Sequence, residues 1–306
     1  MCALNSVSME RQEDVGKVKA RRPRLNRRRR EIVRRAVVTL LILPGAIFVL
    51  LPFWWMISTS LKDPRYIWII PPQWIPDPVR WSNYVEAIQR RPILLLAKNT
   101  AFITFVNIVG NLLTSTLVAY GFGRLRFRGR DILFTVMLAT MMLPGQVTLI
   151  PVFILFTRLG LMNTYWPLTI GSYIGASPFQ VFMLRQFIMT IPLELDDAAR
   201  IDGCGSLRIY WNIILPLIKP ALALITIFTF FGNWNDFFWP LIVLNDMDKY
   251  TLSLGLHQFV RTEQYGGTDY HLMMAYATLI MLPCVIVFFV TQKYMIRGVV
   301  LRASVG

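Results

Sequence analysis

The sequence predicts an all-α integral membrane protein with six transmembrane helices, and three observations carry that expectation. Apolar residues make up 55% of the 306-residue chain against 16% charged, and mean hydropathy is +0.50. One bilayer crossing needs about 20 apolar residues, so a chain of this composition has room for several. Charge-free runs of the required length recur along it, separated by polar stretches. The formal net charge of +15 is concentrated in the tail and in particular loops, as expected where charge sets orientation across a membrane.

The chain divides into a tail, residues 1–35, and a membrane domain, residues 36–306. Twelve of the 32 Lys and Arg lie between Arg11 and Arg35. This basic tail has no apolar periodicity and is expected to be mostly disordered and cytosolic. Such a run alone would be compatible with nucleic acid. Beside a membrane span it reads as a retention signal that favours anionic lipid, so membrane lipid and not nucleic acid is the expected partner. Ala36 to Leu61 is the first span; it is too long for a cleaved signal peptide and lacks a small-residue cleavage site at its end.

Lys62 to Lys98 is a polar, aromatic loop with Pro71-Pro72, Pro76 and Pro78, followed by a short helix around Asn83 to Arg90. Asn99 to Gly123 is the second span. Ile132 to Thr157 is the third, broken by Pro144-Gly145 and Pro151, breaks that a bundle tolerates when neighbours pair the freed backbone groups. The fourth span falls in the charge-free stretch Leu159 to Leu184 and is expected as a continuous helix from about Tyr165 to Met189. Its Gly171, Ser172, Gly175 and Ser177 suit close packing. The fifth runs from about Ala221 to Leu244 and the sixth from Leu272 to Gln292, with Pro283 inside it.

Positive charge orients these spans. Arg124, Arg126, Arg128 and Arg130 lie between spans two and three, and Lys293, Arg297 and Arg302 follow span six. The loop between spans five and six carries Asp246, Asp248, Glu263 and Asp269 against Lys249 and Arg261. Both termini are therefore expected inside. The first outer loop, with Lys62, Arg65, Arg80, Arg90, Arg91 and Lys98, runs against this pattern, and its length weakens the rule there.

Between spans four and five lies the stretch around which the chain is organised. Pro192 suits the opening turn of a helix, where its missing N–H is no loss. Leu195 to Ile201 holds about two turns, with Asp196 and Asp197 near the positive end of the helix dipole. Asp202-Gly203 is a turn pair in which Gly203 can take positive φ. A second amphipathic piece follows, with Leu207, Tyr210, Trp211 and Ile214 at spacings of three and four, ended by Pro216 and Pro220. The shape implied is helix, tight turn, helix, protruding from the membrane domain.

This stretch resembles the EAA loop of ABC-importer permeases, roughly E-A-A-x-x-D-G, some ten residues, then I-x-x-P. Asp197-Ala198-Ala199-Arg200-Ile201-Asp202-Gly203 fills the first part, with Asp197 where the family usually has Glu, and Ile213-Ile214-Leu215-Pro216 fills the last. The resemblance implies a coupling helix that docks in a groove of the ATP-hydrolysing subunit, with Asp197, Ala198, Ala199, Asp202, Gly203 and Pro216 carrying the coupling. It extends from Ala36 to Gly306. Ser60-Leu61-Lys62, Pro71-Pro72-Gln73-Trp74-Ile75-Pro76, Asn83-Tyr84, Leu184-Arg185-Gln186-Phe187, Trp234-Asn235-Asp236-Phe237 and Thr251-Leu252-Ser253-Leu254-Gly255-Leu256 look like the second permease subunit of sugar importers, the MalG-type branch. That branch implies a second, MalF-like permease subunit, two ATP-binding ABC subunits and an extracytoplasmic solute-binding protein as partners, in a bacterial or archaeal plasma membrane. The substrate implied is a sugar or oligosaccharide, with glycerol-3-phosphate as the alternative.

The chain carries no visible catalytic chemistry of its own. It has no Gly-rich loop followed by Lys-Ser/Thr and no recognisable nucleophile set, so neither enzyme activity nor a cofactor is expected. His257 and His271 lack a paired ligand motif, and Cys2, Cys204 and Cys284 indicate no disulfide framework, so no metal site is expected either. Asp236 is the informative intramembrane residue, because an ionisable group among apolar neighbours normally faces a bundle interior or a water-filled cavity. With Asn233, Trp234 and Asn235 it forms the candidate substrate path, where Trp234 and Trp239 could stack on a sugar ring. The competing reading of Asp236 is an ion-gradient-driven secondary transporter, but no inverted repeat accompanies it.

Overall fold

A computed structural model describes residues 24–262 and 269–303, helical in all its regular elements, with no strand among the described residues. Contacts divide the chain into two units, Met1–Trp55 and Met56–Gly306. The described part of the first unit belongs to one helix, α1 (Arg24–Ser60), which continues into the start of the second. Because α1 begins at Arg24, the run from Arg24 to Arg35 is helical rather than part of a disordered tail. The rest of that tail, residues 1–23, lies outside the described residues.

The second unit continues with α2 (Ser82–Arg90), α3 (Ile93–Arg124), α4 (Arg130–Ala139), α5 (Gly145–Arg158), α6 (Trp166–Thr169), α7 (Gly171–Ile174) and α8 (Pro178–Met189). There follow α9 (Glu194–Ile201), α10 (Ser206–Ile209), α11 (Leu215–Leu217), α12 (Lys219–Trp234), α13 (Phe238–Val243), α14 (Leu252–Thr262) and α15 (Tyr270–Ala303). Among the described residues, Arg30–Ser60, Ile93–Arg124 and Tyr270–Gln292 are long and apolar enough to cross a membrane. Two bent pairs raise that number to five if each is one span. The third expected span is one of these pairs: α4 and a short 3-10 turn meet α5 at 96°, with extended backbone at Leu143 and Pro144.

The continuous helix expected from Tyr165 to Met189 is not formed. Its place is taken by α6, α7 and α8, because Gly175 adopts φ −121°, ψ 101° and Ser177 sits extended before Pro178. Proline crowds the residue ahead of it out of the helical region, so the helix stops and restarts there. The broken segment still follows α3 along most of its length, running parallel to it. Asn107 Nδ2 donates to the Leu168 carbonyl (2.9 Å) and Thr114 Oγ1 to that of Ser172 (3.0 Å). Ser115 Oγ donates to Gln180 Oε1 (3.3 Å), and Arg185 Nε to the Phe122 carbonyl (3.2 Å). Close approach depends on Gly110 of α3, where a Cβ would run into the Ser172 and Tyr173 side chains, whereas Gly171 has nothing within 4 Å.

The fifth expected span is also interrupted. Helix α12 ends at Trp234 and α13 begins at Phe238, so Asn235 and Asp236 stand in a break. Helix α3 packs against α8 and α12. Two clusters of buried side chains flank this centre. Tyr120, Leu184, Ile188, Ile209, Tyr210 and Ile214 form one, near the end of α3. Leu96, Trp234, Leu252, Leu272 and Tyr276 form the other, near its start.

Candidate functional site

The stretch from Leu193 to Leu217 folds as a helix, a tight turn and a second helix. Helix α9 begins two residues after Pro192 and places Glu194, Asp196 and Asp197 in its first turn, where the helix dipole favours acid. It is closed by a turn in which Gly203 takes φ +80° and the Cys204 amide donates to the Ala199 carbonyl (2.8 Å). That sign of φ is what a residue without Cβ supplies at little cost. After α10 the chain continues through a π-helical turn, Tyr210–Ile214, into α11 with Pro216 near its start, then bends by 78° into α12. Single π-turns are frequent where a helix serves a function.

Successive residues of α9 point about 100° apart around the axis, so adjacent side chains part company. Asp197, Ala198, Ile201, Asp202 and Gly203 are exposed, Ile201 by 86%, and Pro216 is exposed beyond them. Asp197 pairs with Arg200 at 3.5 Å on that outer face. Ala199 turns the other way and joins the cluster with Ile188, Ile209 and Tyr210. It therefore seats α9 on its own chain and does not present a small residue to a partner. The second helix differs likewise: Ile209, Tyr210 and Ile214 are buried, while Leu207 (68%) and Trp211 (51%) face outward.

Arg124 and Asp196, which the sequence reading took only as a topology charge and a helix-dipole acid, lie beneath this outer face. Arg124 Nε stands 3.7 Å from Asp196 Oδ2, and the two side chains are 1% and 2% exposed. Arg124 Nη2 donates to the Ile191 carbonyl (2.7 Å), Tyr120 OH to that of Ser206 (3.0 Å), and Thr116 Oγ1 shares a hydrogen bond with Tyr210 OH (2.7 Å). A cavity of about 410 Å³, lined by Arg124, Arg126, Leu193, Asp196, Asp197 and Arg200, opens beside the pair.

The four candidate substrate-path residues do not share one lining. Trp234 is buried, donates from Nε1 to the Ile280 carbonyl (3.2 Å) and stacks on Phe230 with ring centres 5.1 Å apart. That takes it out of any surface on which a sugar could stack. Asn233 accepts from Asn107 Nδ2 (2.6 Å) and donates to the Thr229 carbonyl (2.8 Å). Asn235 is exposed and donates to the Phe231 carbonyl (3.0 Å). Asp236 Oδ1 accepts the Trp239 amide at 3.4 Å, where α13 starts. A ring-lined cavity of about 650 Å³ lies elsewhere, between α3 and the broken fourth segment, and includes Phe102, Tyr165, Trp166 and Tyr173. No group of three or more His, Cys, Asp or Glu that could hold a metal occurs among the described residues.

Three membrane-length helices, two bent pairs and an acidic helix–turn–helix with an exposed outer face make up, among the described residues, the pattern of a multi-span membrane protein. Residues 111–300 match the family described as "Binding-protein-dependent transport system inner membrane component", and the chain belongs to that family. It is a permease subunit of an ABC importer. It is 31% identical over 267 residues to the sn-glycerol-3-phosphate transport system permease protein UgpE of Yersinia pestis, covering 85% of this chain and 94% of that one. It is 36% identical over 208 residues to the arabinooligosaccharides transport system permease protein AraQ of Halalkalibacterium halodurans, covering 68% and 73%. Its fold is similar to that of a solved bacterial ABC transporter involved in the import of the acidic polysaccharide alginate, with a TM-score of 0.75 at 24% identity over 89% of this chain and 98% of that one.

Proposed function

We propose that this permease carries a sugar or oligosaccharide, and that α9 and the turn after it dock on the ATP-binding subunit. The observation that carries the docking reading is the outer face of α9: the exposed acids Glu194 and Asp197, then Ala198 and the apolar Ile201, ending on the glycine turn at Gly203. An exposed Ile on an acidic element fits a partner groove with an apolar floor and a basic rim. Two such ABC subunits, a second MalF-like permease and an extracytoplasmic solute-binding protein complete the assembly. ATP binding closes the ABC subunits, the loop moves with them, and the spans alternate between outward- and inward-facing states.

The sugar reading is supported by the arabinooligosaccharide relative and by the ring-lined cavity, since sugar rings offer an apolar face to aromatic side chains. The glycerol-3-phosphate relative favours a second reading of the substrate. Six crossings with both termini in the cytosol complete the proposal, the fourth being made by α6 to α8 alongside α3.

Ile201→Arg tests the docking reading. The variant is expected to reach the membrane at normal levels, to lose co-purification with the ABC subunit, and to lose uptake. Unchanged co-purification would overturn it. Competition of uptake by neutral oligosaccharides against glycerol-3-phosphate separates the two substrates. Cysteine labelling of intact cells at positions 126, 202 and 248 tests the topology, with reaction from outside expected at 248 alone.

A further inference from the structure

The outer face of α9 is exposed, and its inner face is what joins it to the membrane helices. The buried residues of α9 are Asp196 and Ala199. Ala199 offers a methyl group to the cluster beneath it, a contact with little direction. Asp196 meets Arg124, the last residue of α3, inside the protein. The same guanidinium holds the Ile191 carbonyl, on the chain leading into α9. Tyr120 and Thr116, earlier on α3, attach α10 and the π-turn, while Arg124 makes the charged contact from α3 to α9 itself.

The pair is slack. At 3.7 Å, neither Asp196 carboxylate oxygen nor Arg124 Nε makes a hydrogen bond. Buried ions have given up hydration, and short directed hydrogen bonds are what offsets that loss. A carboxylate–guanidinium bond is ordinarily about 2.7–2.9 Å long, so α9 need advance on α3 by only about 1 Å to close it. Closure would reward one position of α9 over another, which is the property of an element with two states.

Helix α3 is built to carry that movement. It runs unbroken from Ile93 to Arg124, beside neighbours that are interrupted. At its far end Asn99 Nδ2 donates to the Asp248 carbonyl (2.7 Å) and the Tyr250 carbonyl (3.1 Å), and Thr100 Oγ1 accepts the Leu252 amide (2.9 Å). One rigid helix is thus tied to the docking loop at one end and to the segment 248–252 at the other.

We propose that Arg124 and Asp196 are positioning residues forming the joint between α9 and α3, slack in the arrangement described and closed in the other state of the transport cycle. The inference rests on the reading of α9 as the docking element. The test uses the whole complex in liposomes: both permeases, the ABC subunits and the binding protein. Asp196→Asn and Arg124→Gln remove one charge each at nearly constant shape, and R124D/D196R reverses the pair. Each single variant is expected to carry the ABC subunit and hydrolyse ATP at the basal wild-type rate. Uptake should fall at least tenfold, so that more ATP is hydrolysed per solute moved, and the reversed pair should recover several-fold.

Unchanged uptake in both single variants overturns the proposal. So does a loss of uptake that matches a loss of assembly with the hydrolysis ratio unaltered, which would make the pair a structural tie. If the neutral variants do not accumulate, Arg124→Lys and Asp196→Glu keep the charges and alter the reach. They must then shift the ratio of hydrolysis to uptake, and an unaltered ratio overturns the joint. Failure of the wild-type permease to retain an ABC subunit would defeat the docking reading itself. Retention with an unmoved ratio defeats the joint alone.

Discussion

Gly203 is the position at which the loop's geometry is most exposed to a single change. It holds φ +80° between α9 and α10, and nothing lies within 4 Å of where a Cβ would stand. A substitution there therefore meets backbone strain and no clash. For Val the strain is about 1–2 kcal/mol, while Asn visits the left-handed region far more readily. A penalty of that size changes the ratio of turned to re-angled loop by roughly five- to thirtyfold. The membrane helices are held by clusters that do not include Gly203, so insertion survives. In liposomes Gly203→Val is expected at normal abundance, with uptake reduced up to that factor and hydrolysis no longer stimulated by delivered substrate. Gly203→Asn should retain most of both activities. Equal losses in Asn and Val would show that bulk at the docking face, not the sign of φ, is what matters. Wild-type rates in Val would show that the turn is not needed.

Gly110→Leu should lower thermal stability in detergent by about 1–3 kcal/mol, since any Cβ there meets Ser172 and Tyr173, while Gly171→Ala, with open space around it, should leave it unchanged. Asn107→Leu strips the donor from the Leu168 carbonyl and from Asn233 Oδ1, a loss of about 1–3 kcal/mol for a buried group left unpaired; the double variant with Asn233→Leu should recover part of it. Arg65, through its side chain and its amide, holds the Asp63 carboxyl down to about 2, with Arg80 at 3.1 Å beside it. The stabilisation this gives the segment 61–80 is complete above the ordinary carboxylate pKa of about 3.9 and is lost as pH falls through about 2. Protease protection of that segment should thus fall between those values in the wild type and stay flat in Asp63→Asn. Asp236→Asn should keep uptake, because an amide oxygen accepts the Trp239 N–H as well as a carboxylate does, and lost uptake with an intact fold would show that the charge itself is needed.

The helix–turn–helix was legible because its signals are local: an acidic first turn, a glycine where φ turns positive, and Pro220 where α12 starts, although Pro216 lies within the second helix and does not end it. What lay beneath it was not. Asp196 and Asp197 read alike in sequence, and the turn of α9 sends one into the core and leaves the other outside. Arg124 counted as a topology signal, since its partner lies 72 positions further on and is brought to it only by the fold. The fourth span failed for a different reason. A charge-free stretch has the same composition whether it is one helix or three, and Pro178 was the signal that could have separated them. Leu207 and Trp211 satisfied a helical spacing that also fits the opposite face, and the π-turn shifts that face again.

The interruptions also change what polarity inside the bundle means. A broken helix frees carbonyl groups, and in a membrane a side chain must pair them. Asn107 does so for Leu168, Thr114 for Ser172, and Trp239 Nε1 for Pro167 at 2.9 Å. Asp236 receives the Trp239 amide at the start of α13 in the same way. A polar residue type therefore marks an interruption before it marks a solute. Trp239 is the place where the interruptions meet: its indole reaches the carbonyl of Pro167 in α6, its ring lies 6.4 Å from Phe156 of α5, and it stands within α13 itself. Helices interrupted at one place can shift on either side of it without breaking a continuous hydrogen-bond ladder. An unbroken helix such as α3 can only move as a body. Trp239 is thus a contact that three interrupted elements share, whereas α3 runs past them without a break.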